Sequence, residues 1–228
     1  MKKKSKNNKQ KKGKVKGPAA EKENQQLFWF VIVLVIVFAL VLIPYFWIEN
    51  SKSFGFGGAE WVIEEYAEPT GTIYHGRFEA LDGSPELFFN VFLRGDPRTN
   101  DVPTGGVFDD FIYGGIVSMS PEVDKCRGEL SRSMLDLGSF LRTGVGVKKL
   151  ESGSTDRATA TESGRKYAIC GRVLDRTLVI VEIGEPRVVQ HEKYKSCYTI
   201  YAESCDDVSS VEKFIVKTID DFGKVNDE

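Results

Sequence analysis

The chain has 228 residues, and its formal net charge of −2 averages pieces of unlike composition. Residues 1–26 carry ten lysines against two glutamates, a net +8 that leaves −10 for the remainder. With no arginine or aromatic residue among those lysines, base stacking and base-edge recognition are excluded as the tail's role, and no nucleic-acid partner is expected.

Such a tail has too little apolar surface to offset the entropy of ordering it, so a disordered, Lys-rich arm is predicted over 1–26. From Leu27 to Ile48 the chain then runs without a charge, which as a helix covers about 33 Å, the thickness of a bilayer core. Aromatic clusters stand at both ends, Phe28, Trp29 and Phe30 on one side and Tyr45, Phe46 and Trp47 on the other, as for rings that settle at headgroup level. A cleavable secretory signal would have a shorter apolar stretch ending in small residues. The reading is a single-pass signal-anchor in the cell membrane. The lysine excess places the N-terminus in the cytoplasm, against anionic inner-leaflet lipids, and the C-terminal domain outside.

Residues 49–59, rich in Gly and Ser, read as a flexible stalk, and 60–224 as one extracytoplasmic domain. A strand is predicted over Glu60–Ala67. A hairpin follows, Ile73–Leu81 and Glu86–Arg94 around Asp82-Gly83-Ser84-Pro85. Its second arm has Leu87, Phe89, Val91 and Leu93 on one face and Phe88 and Phe92 on the other, the pattern of a central strand. A turn-rich loop from Gly95 to Gly106 leads to a strand over Ile112–Met119. Ser120 and Pro121 then open a helix with Val123, Cys126, Leu130, Met134, Leu137 and Leu141 on one stripe, weakened by Gly128 and Gly138. Residues 151–165 are small and polar and read as an exposed loop. Strands resume at Lys166–Cys170, Thr177–Ile183, Arg187–Gln190 and Cys197–Ala202. Asp206 or Asp207 caps a last helix with Val208, Val211, Ile215, Ile219 and Phe222 on one side, ending at Gly223. The order implies an α+β fold, a mostly antiparallel sheet packed by two helices.

Cys126, Cys170, Cys197 and Cys205 all lie beyond the apolar segment, where an even count implies two disulfides with three possible connectivities. The preferred pairing joins Cys170 to Cys197, on strand candidates, and Cys126 to Cys205, each beside a helix. With no Cys-x-x-Cys and only His75 and His191 as histidines, neither a metal site nor a cofactor is expected.

The segment Asn90-Val91-Phe92-Leu93-Arg94-Gly95-Asp96-Pro97-Arg98-Thr99-Asn100-Asp101-Val102-Pro103, with Cys197-Tyr198 and Cys205-Asp206 near the end, resembles a segment of uncharacterised archaeal single-pass membrane proteins. The resemblance spans most of 72–222 and implies no activity. It implies that the Arg94–Pro103 loop is the domain's most distinctive polar feature.

The side chains expected to bind a ligand or partner are Arg94, Asp96, Arg98, Asn100 and Asp101, because polar groups concentrated where a strand leaves the core can be presented rigidly. The competing reading is a turn held by its own Asp and Arg pairs. Asp109 and Asp110 form a second carboxylate pair. Hydrolase, phosphate-loop and dinucleotide signatures are absent, so no catalytic residue is assigned. The leading expectation is an extracytoplasmic interaction or ligand-binding module with a possible envelope protein partner. The alternatives are an envelope hydrolase using Asp96, Asp109 or Asp110, or a structural subunit of an envelope complex.

Overall fold

The computed structural model describes residues 18–68, 70–81 and 87–226, in two units divided between Ser51 and Lys52. The first unit is one helix, α1 (Pro18–Ser51), and Leu27–Trp47 within it is long and apolar enough to cross a membrane. Side chains such as Trp29, Val35 and Leu40 are exposed along it. The helix begins inside the expected tail: residues 18–26 are its first turns, and the rest of the tail lies outside the described residues.

The second unit is α+β and opens with an antiparallel meander of four strands, β1 (Ser53–Phe56), β2 (Ala59–Glu65), β3 (Thr72–Glu79) and β4 (Phe88–Leu93). Residues 53–56, expected to be stalk, are therefore sheet. The cause is local: Gly57 and Gly58 have φ of 56° and 75°, the left-handed pair that a two-residue hairpin turn needs, and they pair Phe56 with Ala59. Phe54 then stacks on Trp61, which is fully buried and donates its indole N–H to Phe56 O. Opposite Trp61 the sheet needs Gly76, where an added Cβ would stand 2.6 Å from the indole ring. The predicted hairpin is β3–β4, its turn outside the described residues. A second correction concerns β4, which is the sheet's outer strand and not a central one. Phe88 and Phe92 are 50% and 54% exposed, with Arg77 over the first ring and His75 stacked on the second.

The remaining strands make a second sheet that the sequence reading did not separate from the first. They are β5 (Thr104–Gly105), β6 (Gly114–Met119), β7 (Lys149–Ser154), β8 (Lys166–Tyr167), β9 (Thr177–Ile183), β10 (Arg187–Gln190) and β11 (Cys197–Ala202), in the order β5-β10-β11-β9-β6-β7-β8. Here only β10 and β11 are antiparallel neighbours, so the sheet is mixed and largely parallel. Parallel neighbours need crossover connections. Two of these are helical: α2 (Pro121–Asp124) and α3 (Glu129–Ser139) with a π-helical turn Phe140–Gly144, then α4 (Arg157–Ser163). Residues 151–165 are thus strand and helix, not loop. Asp156 caps α4 by accepting from Thr159 N, and Gly164 closes it in the left-handed conformation. The single helix expected from 121 is broken at Gly128, whose φ is 107°.

Residues 209–226 form α5 (Ser209–Asn226), with Asp207 accepting from Ser209 N at its start. One main core joins Trp61, Phe78 and Leu93 of the first sheet, Leu130 and Leu137 of α3, Val179 and Ile200 of the second sheet, and Phe214 and Ile215 of α5. A smaller cluster gathers Ile116, Leu178, Ile180 and Cys197. The disulfides are Cys126–Cys205, between the α2–α3 connection and the turn before α5, and Cys170–Cys197, at that smaller cluster.

Candidate functional site

Where β4 ends, the chain must turn out of the sheet, and the two amides of that turn need acceptors. Glu212, in the first turns of α5, supplies both: Oε1 accepts from Arg94 N at 2.5 Å and Oε2 from Gly95 N at 3.0 Å. The position of this carboxylate is unusual for α5, since Val211 and Ile215, both in the core, flank it. Glu212 is only 6% exposed, and burial pushes its pKa up to about 7 against the opposing pull of the two amides and the Arg94 charge, with Asp136 adding to the rise.

Beside this carboxylate lies a cleft of about 120 Å³ between the end of β4, α3 and α5. Its polar wall consists of Arg94, Glu129, Arg132, Asp136 and Glu212, and Ile73, Phe92, Val208, Val211 and Ile215 provide apolar surface. The Arg94 guanidinium donates to Thr70 O at 3.2 Å and stands 3.5 Å from Glu129. Arg132 and Asp136, one helical turn apart on α3, are different. Both are exposed, and among the described residues neither side chain makes a hydrogen bond or a short ion pair; they act on one another only through space. Burial raises the pKa of Asp136 in spite of the nearby Arg132 and Arg94 charges. The cleft thus offers an uncommitted cation and an uncommitted anion beside an apolar floor, which suits a ligand carrying both charges.

Of the five expected loop residues, Arg94 alone lines this cleft. Asp96 is spent on Arg98, accepting from its backbone N at 3.0 Å and its guanidinium at 2.6 to 3.2 Å, and the pair holds the Asp96 carboxyl below its ordinary range. Arg98 in turn lies 3.9 Å over the Phe54 ring. Asn100 ties the loop to α5: its Nδ2 donates to Ser209 O at 2.8 Å, and its backbone O accepts from Lys213 Nζ at 2.6 Å. Asp101 is exposed. Most of the loop is therefore a built turn that holds Arg94 in place. Asp96, Asp109 and Asp110 take no part in the cleft wall. The described residues contain no group of three His, Cys, Asp or Glu placed to hold a metal ion.

The residues missed in the sequence are Glu129, Arg132, Ser133, Asp136 and Glu212. Two signals for them were present. Positions 129, 132, 133 and 136 recur at helical spacing as a polar stripe, and Glu212 interrupts the apolar stripe of the last helix. No protein family model, curated protein or solved structure matches the chain.

Proposed function

We propose that the chain is a single-pass membrane protein, N-terminus in the cytoplasm, whose extracytoplasmic domain recognises a small zwitterionic ligand, or a partner segment bearing both charges, in the cleft beside Arg94. The observation that carries this reading is the pair Arg132 and Asp136 on the cleft wall, whose side chains have no hydrogen-bond partner among the described residues. Structural ion pairs satisfy each other, as Asp96 and Arg98 do; groups left open toward a concavity are available to a ligand. The apolar α1, the lysines before it and two disulfides support the topology.

The test uses the full chain in lipid nanodiscs, with free α-amino acids as zwitterionic probes in thermal unfolding. At least one amino acid raises the Tm, and Arg132→Ala or Asp136→Ala abolishes the shift. If no amino acid acts and a photo-crosslinker at position 132 captures no envelope protein in intact cells, the cleft is not a recognition site. Topology is scored separately: external protease cuts the C-terminal domain, and a reporter at Met1 stays protected. The hydrolase reading has less support, because its carboxylates stand outside the cleft wall and one of them is neutralised by Arg98.

A further inference from the structure

One edge of β4 has no neighbouring strand among the described residues. Its phase follows from one bond: Ala80 N donates to Leu87 O. Successive residues of an antiparallel ladder turn their N–H and C=O to opposite sides. Leu87, Phe89, Val91 and Leu93 therefore bond toward β3, while Phe88, Asn90 and Phe92 present theirs at the open edge. Arg94 N, next in that series, also points away from β3 and is taken by Glu212. Natural edge strands are usually blunted by a charge, a proline or a bulge. From Leu87 to Leu93 this one has no charge and no proline, and it leaves two phenylalanines half-exposed.

The strand is also nearly symmetrical about Asn90. Phe89 answers Val91, Phe88 answers Phe92, and Leu87 answers Leu93. We infer that β4 pairs with β4 of a second copy of this chain, antiparallel and centred on Asn90, so that two four-stranded sheets become one of eight. A twofold axis demands a self-complementary surface, which this sequence provides. Phe88 then lies opposite Phe92 of the partner subunit, and Asn90 opposite its own counterpart. An edge this short buries less than the roughly 1,200 Å² of a free-standing complex, so the pairing draws on confinement of both copies to one bilayer. To that extent it rests on α1 being an anchor.

The experiment places a benzophenone amino acid at Phe92 in the full chain, expressed in membranes and irradiated. The expected product is a covalent adduct of twice the chain mass. Asn90→Lys, which opposes two lysines at the centre, cuts its yield about tenfold in chains that circular dichroism shows to be folded. Co-expression of the Asn90→Lys and Asn90→Asp chains restores it, which a merely structural role for Asn90 does not explain. Absence of a dimer adduct, an adduct of another mass, or full yield from the Asn90→Lys chain alone overturns the pairing. Alkaline carbonate extraction scores the anchor independently, so failure of the anchor and failure of the pairing are told apart.

Discussion

The two sheets of the domain share one core but differ in how they treat their other side. The seven-stranded sheet buries its central strands: Leu178 and Val179 on β9 and Tyr198 and Ile200 on β11 are all inaccessible. The four-stranded sheet buries one face only. Trp61, Phe78, Val91 and Leu93 point into the core, while Val62, Phe88 and Phe92 stay exposed among Glu60, Arg77 and Asn90. The first arrangement maximises burial at about 25 cal/mol per Å² of apolar surface; the second leaves some of that free energy unrealised. The uncharged apolar edge of the smaller sheet is the one on which the proposed pairing rests; the larger sheet then serves as the scaffold.

That contrast breaks most readily at the covalent staple of the scaffold. Replacing Cys126 and Cys205 by Ser releases a loop of 79 residues and costs about 4 kcal/mol by the chain-entropy relation, read as the midpoint of urea unfolding. Ile200→Ala, at a fully buried position of β11, costs about 3 kcal/mol. Glu212 yields an effect of similar size that depends on pH. Its folded pKa of about 7 lies above the carboxyl's ordinary value of 4.5, so its contribution is fully present below pH 4.5 and is lost as pH rises to 7. The loss amounts to about 3 kcal/mol and stays constant at higher pH. Glu212→Gln flattens this part of the profile, and a wild-type Tm unchanged between pH 5 and pH 8 refutes the assignment.

Smaller effects sharpen the same comparison. Asp156→Ala removes the cap of α4 and costs about 1 kcal/mol in thermal unfolding. Phe92→Ser, on the open face of the small sheet, changes stability by no more than about 0.5 kcal/mol. If Phe92→Ser proves as costly as Ile200→Ala, the outer face belongs to the core and the contrast is lost.

Legibility in the sequence followed side-chain size. Large β-branched and aromatic side chains between turn residues marked β9, β10 and β11 at the observed boundaries. By contrast β7 was hidden, because Ser152, Gly153 and Ser154 look like linker. Their smallness is a packing requirement: an added Cβ at Gly153 would stand 2.8 Å from Ile116. Missing β7 and α4 removed the crossovers, and with them the parallel sheet. The site was half legible for a related reason. Arg94 stood out on its loop, but the Glu212 that holds it is 118 residues away, a distance no local pattern bridges.

The bond between Cys126 and Cys205 joins the approaches to α3 and α5, the two helices that form one side of the cleft, and Leu130 N donates to Cys205 O close by. Like the spine of a book, it lets the facing pages part only at their far margin. A chain with these two thiols still reduced has the helices but not this hinge. In the topology and binding role proposed above, the cleft takes its final shape only once this bond has closed.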